Sequence, residues 1–137
     1  MKINSRALVL WGFYFGFLIY AMSAYWHGSM FAFGGPFGAL KLATWILLVG
    51  FLFYSIYCSL REDLFRTIGA IWQFHWGRQI GIDLYLGLCI GLLIIYVHEG
   101  LTATLIWLIP TLAFANLSML LYVAMNFDSI VSRLALL

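Results

Sequence analysis

Charge is what this sequence most lacks: seven Lys and Arg with five Asp and Glu make up 9% of 137 residues, against about 25% in an ordinary soluble domain. A fold surrounded by water would have too little polar surface to cover itself. Proline is nearly absent, at two residues, so long helices meet few obligatory breaks. Two cysteines cannot make a disulfide framework, and Cys58 and Cys89 are expected as buried thiols. A net charge of +2, carried by scattered residues, is too weak to track a phosphate backbone, which excludes nucleic acid as a partner. Missing too are a P-loop, G-x-S-x-G, C-x-x-C and H-E-x-x-H, the common signatures of nucleotide binding and hydrolysis.

Apolar residues are abundant, at 65%, and the chain carries twelve Phe, eight Tyr and six Trp. That balance suits lipid contact and interfacial aromatic belts. Four apolar runs reach the 18 or so residues that a membrane span requires: 7–25, 40–60, 80–97 and 102–124. Each is expected as a helix, because an open strand in hydrocarbon would leave backbone groups unpaired at several kcal/mol each. Lys2, Arg6 and the run that follows could pass for a secretory signal ending near Ala21, Met22 and Ser23, and the segment is read here as the first span. Gly34, Gly35 and Pro36 break the first connection, Arg61, Glu62 and Asp63 open the second, and His98, Glu99 and Gly100 form a polar corner.

Six of the seven basic residues fall on one side of that arrangement, with Lys41 alone opposite. The positive-inside rule then places both termini in the cytoplasm, with His27, His98 and Glu99 on the outer face. The 61–76 stretch is too polar to span. Leu64, Phe65, Ile68, Ile71, Trp72 and Trp76 recur at helical spacing opposite Glu62, Asp63, Arg66 and Gln73, which predicts an amphipathic helix lying on the cytoplasmic interface. The expected fold is therefore an all-α integral membrane protein, one domain of four transmembrane helices plus one interfacial helix between the second and third.

Polar residues inside the spans are the candidate functional groups. Asp83 enters the third span at a cost of about 2.5 to 3.5 kcal/mol at mid-bilayer, less near the edge. Two explanations compete: pairing with Arg78 near a helix N-terminus, or a role as proton or cation carrier. In the fourth span Pro110 frees the carbonyl of Ile106 and predicts a kink. If the third span rises and the fourth descends, Asp83, Asn116 and Tyr122 meet in a buried polar cluster. Gly12 with Gly16, and Gly87 with Gly91, form small-xxx-small pairs that let a second helix approach, within this chain or another copy. His27, His98 and Glu99 offer imidazole and carboxylate to a metal or haem, but their spacing is not diagnostic and no cofactor is favoured.

The order Trp76, Asp83-Leu84-Tyr85-Leu86-Gly87, Glu99, Trp107, Asn116 and Tyr122 resembles a family of small bacterial membrane proteins of three or four helices and unknown function. The resemblance covers about the second half of the chain. It implies a bacterial inner membrane and marks Asp83, Glu99 and Asn116 for first attention. Two departures stand out: Ala115 where that family carries Gly before the Asn, and the added Pro110.

Three classes of function follow. The first is a non-catalytic accessory or assembly subunit, surrounded by membrane lipids and docking onto a larger membrane complex or onto copies of itself. The second is a small oligomeric transporter or channel using Asp83. The third is a membrane enzyme or metal or haem carrier using His27, His98 and Glu99.

Overall fold

The computed structural model describes residues 5–135, in which seven helices follow one another with no strand among them. Three are long and apolar enough to cross a membrane: α1 (Ser5–Ala24), α2 (Gly38–Arg61) and α4 (His75–Glu99). At 1.5 Å per residue the last two reach about 36 and 37 Å, enough to pass a hydrocarbon layer of about 30 Å. Between α2 and α4 lies α3 (Leu64–Ile71), shorter than the amphipathic stretch expected, with Asp63 capping it through a 3.0 Å bond from the Arg66 backbone N–H to Oδ1. Leu64, Phe65, Ile68 and Ile71 stay exposed along it. Trp76 belongs to α4.

The fourth run behaves differently from its expectation. It forms α5 (Leu101–Phe114) and α6 (Asn116–Met125), separated by Ala115 at φ +46°. At 14 residues α5 is about 21 Å long, too short to cross. Pro110 sits buried inside α5 without ending it. The chain then folds back. Trp107 and Tyr122, on either side of Ala115, meet edge to face with ring centroids 5.0 Å apart, and the Tyr122 hydroxyl returns to Glu99 at the start of the hairpin. The 102–124 segment is thus a helical hairpin and not one helix of spanning length. Such backbone is tolerated at membrane depth where protein buries it, and Leu117, Ser118, Leu121 and Tyr122 of α6 are all buried.

This reversal fixes where the C-terminal part lies. Taking the end of the bundle with the 26–37 connection and the Gly100 corner as upper, and the end with α3 as lower, α7 (Phe127–Leu134) lies across the upper end. Asp128 reaches Lys41 at the top of α2, Ser129 reaches His98 at the top of α4, and the Arg133 guanidinium donates to the Val97 carbonyl at 3.3 Å. Arg6, by contrast, lines a small crevice with Glu62, Asp63 and Phe65 at the lower end. The described N-terminal residues and α7 therefore occupy opposite ends, and Arg133 joins Lys41 instead of Arg61, Arg66 and Arg78. Lys2 lies outside the described residues.

One consequence of the reversal is visible at Lys41. Its side chain is 1% exposed, and an unpaired buried ammonium is one of the costlier things a fold can contain. Its Nζ donates to the backbone carbonyls of Ser29 and Ala32 and to Asp128 Oδ2 at 2.6 Å. A straight 102–134 helix would carry Asp128 to the far end and leave Lys41 without a counter-charge. The core beneath this pair is aromatic: Phe114 packs on Trp11 and Tyr14, and Trp107 on Phe17. These contacts hold α1 against the hairpin.

Candidate functional site

The densest polar arrangement sits where α4, α6 and α7 meet at the upper end. Glu99 closes α4, and Gly100 at φ +87° turns the chain straight into α5. That left-handed corner lets two consecutive side chains converge on one partner. Sequence periodicity puts His98 and Glu99 on different sides of a helix; in the structure His98 Nδ1 lies 2.6 Å from the Tyr122 hydroxyl, and that hydroxyl donates to Glu99 Oε1 at 3.1 Å. His98 Nε2 lies 2.7 Å from Ser129 Oγ.

The donors and acceptors run in one direction. Since the Tyr122 proton goes to Glu99, His98 must donate from Nδ1 to the Tyr122 oxygen, and in the neutral ring Nε2 is left to accept from the Ser129 hydroxyl. The result is a chain Ser129, His98, Tyr122, Glu99. Tyr122 is 1% exposed, and the His98 and Glu99 side chains are 8% and 20% exposed. Trp107 and Tyr25 wall the group, their rings 6.2 Å apart. Tyr25, in the turn just past α1, has its phenol held above its ordinary pKa by burial and then by the Glu99 carboxylate. Such an arrangement can pass or hold one proton between its ends, and it supplies the hydroxyl–imidazole contact that nucleophile activation requires.

The expected cluster of Asp83, Asn116 and Tyr122 does not form. Asp83 lies fifteen residues before His98 on the same helix, about 22 Å lower, while Tyr122 is turned upward by the hairpin reversal. Asn116 begins α6 near the hairpin tip and is exposed. Asp83 is exposed too, in a shallow crevice with His75, Arg78, Gln79 and Ile82, all of α4. The expected Arg78 pairing is also absent among the described residues: the Arg78 guanidinium meets His75 Nδ1 at 2.8 Å, and Asp83 has no ion pair.

The glycine pairs divide. A Cβ on Gly91 would come within 2.7 Å of Met119 Sδ on α6, so this glycine serves packing inside the chain. Gly12, Gly16 and Gly87 face open space. His27 does not join His98 and Glu99, since no group of three His, Cys, Asp or Glu suited to a metal occurs among the described residues. Cys58 and Cys89, expected to be buried, are exposed on the helix surfaces.

Sequence reading missed Ser129, Asp128 and Lys41 as site members. One signal was present: Phe127, Ile130, Val131 and Leu134 recur at helical spacing opposite Asp128, Ser129 and Ser132, an amphipathic turn able to lie across a bundle end. No family model, no curated protein and no solved structure matches the chain.

Proposed function

We propose that this chain is a non-catalytic accessory subunit of a larger membrane complex, docking through the lower half of α4. The observation that carries the reading is Asp83: an exposed carboxylate without an ion pair among the described residues, on a helix of a length and composition that cross lipid. Left in hydrocarbon such a group is expensive, and residues of this kind mark binding or transport faces. One turn further, Gly87 leaves room for a second backbone. A neighbouring helix that offers a hydrogen-bond donor or cation beside Asp83 and packs on Gly87 satisfies both.

The accompanying placement puts the lower end, with Arg6, Arg61, Arg66 and Arg78, in the cytoplasm, and α7 with the 26–37 connection on the far side of a bacterial inner membrane. Alkaline phosphatase fused after α7 is then active, and activity only from a cytoplasmic reporter at that position overturns the placement. Docking is tested by gentle extraction and mass spectrometry of the intact assembly. The wild type brings down a stoichiometric partner that Asp83→Leu and Gly87→Leu lose. Identical assemblies from all three chains overturn the docking face, and an assembly built only of copies of this chain converts the reading to self-association.

A second reading, a membrane enzyme using His98 and Glu99, is favoured by the 2.7 Å contact of Ser129 Oγ with His98 Nε2. A fluorophosphonate probe tests it. Ser129 Oγ displaces fluoride at phosphorus, and its proton passes to His98 Nε2. A phosphonylated Ser129 that disappears in His98→Gln supports activation; an unmodified Ser129 leaves the contact as a tether for α7.

A further inference from the structure

The two halves of α4 differ in what covers them. The hairpin descends about 21 Å from Gly100 while α4 runs about 37 Å, so roughly 16 Å of its lower length extends past the hairpin tip. With α2 on one side and α3 beneath, the space left under Ala115 is a crevice of about 490 Å³, inside the range of roughly 300 to 1,000 Å³ typical of small-ligand sites. Phe51, Leu84, Leu112 and Leu117 make apolar walls. Toward the lower rim the lining turns polar, with Ser59, Thr67 and Glu62, and the Thr67 hydroxyl donates to Glu62 Oε2 at 3.3 Å. Among the described residues that line it, Glu62 alone is charged.

A second observation marks the same place. Ala115, which lines the crevice, is the one non-glycine residue with positive φ among those described. Strained backbone of this kind costs on the order of 1 to 3 kcal/mol, persists only where the surroundings hold it, and collects at ligand sites. Here it ends α5 early and keeps the hairpin from filling the space below.

We propose that the crevice binds one phospholipid with a primary-amine headgroup, taken from the adjoining leaflet, its ammonium on Glu62 and an acyl chain between Phe51, Leu84 and Leu117. The apolar walls take a hydrocarbon chain, and the one carboxylate that lines this crevice, at its rim, selects a protonated amine over an uncharged or anionic head. The inference rests on the membrane placement of the chain and not on docking at Asp83.

The test uses the full chain in phosphatidylglycerol nanodiscs. Each carries a trace of diazirine-acyl phosphatidylethanolamine or of diazirine-acyl phosphatidylglycerol with the same chain. The amine lipid is expected to crosslink saturably to segments 51–59 and 112–117, about tenfold more than the glycerol lipid, the difference one charge-assisted hydrogen bond makes. Glu62→Gln, at an exposed position, erases that preference. Ala113→Trp, which fills the crevice from an exposed lining residue, removes the labelling. Equal labelling by both headgroups, or labelling that Glu62→Gln leaves selective, overturns the proposal and identifies ordinary annular lipid.

Discussion

At the upper end Lys41, His98, Glu99 and Asp128 each meet a partner within 3.4 Å, whereas at the lower end Asp83 has no ion pair among the described residues and a crevice stays open beneath Ala115. Both ends share α1, α2 and α4. The difference is the hairpin: α5 and α6 spend their length on the upper half, and α7 lies across it. A polar network with its groups satisfied rigidifies and specifies one arrangement. Exposed polar groups and unfilled space are features of surfaces that receive something else. The upper end accordingly holds the chain together, and the docking face and lipid crevice proposed above both lie toward the lower end.

Substitution should separate the two ends, and the largest effect belongs to Tyr122. Replacing this buried ring by Ala removes the hydrogen bonds of His98 and Glu99 along with the contact to Trp107, an expected loss of about 4 kcal/mol, read as a lowered unfolding midpoint in detergent. Tyr122→Phe keeps the ring and leaves two polar partners unpaired, at about 2 kcal/mol. Should Tyr122→Phe leave the midpoint unmoved, the upper network is not a source of stability.

Asp128→Ala comes next. It strips Lys41 of its counter-charge, and an uncompensated buried charge is worth about 3 to 5 kcal/mol. Two backbone carbonyls still accept from Nζ and Asp128 is itself half exposed, so the expected loss falls to about 2 kcal/mol. The double variant Lys41→Met with Asp128→Ala should recover most of it, because replacing a buried pair by apolar groups is often neutral. A double variant no more stable than Asp128→Ala alone would show that the carbonyl bonds from Lys41 to the 26–37 connection matter more than its charge.

A smaller gain is expected from Ala115→Gly. Glycine adopts positive φ without the Cβ clash that alanine carries, so the substitution should stabilise the chain by about 1 kcal/mol, less the entropy glycine loses on folding. A lowered midpoint would mean that the hairpin tip does not hold this conformation.

Three long helices and an amphipathic piece between the second and third were legible, because apolar runs such as 40–60 and the spacing of Leu64, Phe65 and Ile68 are local signals. The hairpin was not. The 102–124 run is as apolar as a span, and nothing in its pattern distinguishes one that crosses from one that turns back. The contacts that accompany the reversal are distant in sequence, such as Lys41 to Asp128 over 87 residues, and single-sequence periodicity does not register contacts at that range. Once the hairpin reverses, Tyr122 moves from Asp83 to His98, so a single missed turn displaced the whole predicted cluster. His98 and Glu99 were marked as candidates, but their convergence depends on the Gly100 corner, which helical spacing cannot express.

The smallest effect on folding should come from Asp83, and that smallness is the sharpest form of the comparison. Among the described residues its carboxylate has no ion pair and is exposed in the shallow crevice with His75, Arg78 and Gln79, so Asp83→Leu breaks no salt bridge. The unfolding midpoint should stay within the equivalent of about 0.5 kcal/mol, as surface substitutions usually do, or rise slightly as a lipid-facing charge disappears. Copurification should report the opposite, with the partner lost from a chain that is fully folded. A chain that instead unfolds on Asp83→Leu has its carboxylate engaged within its own fold, and the lower half of α4 would then belong with the upper end as part of what holds the bundle together.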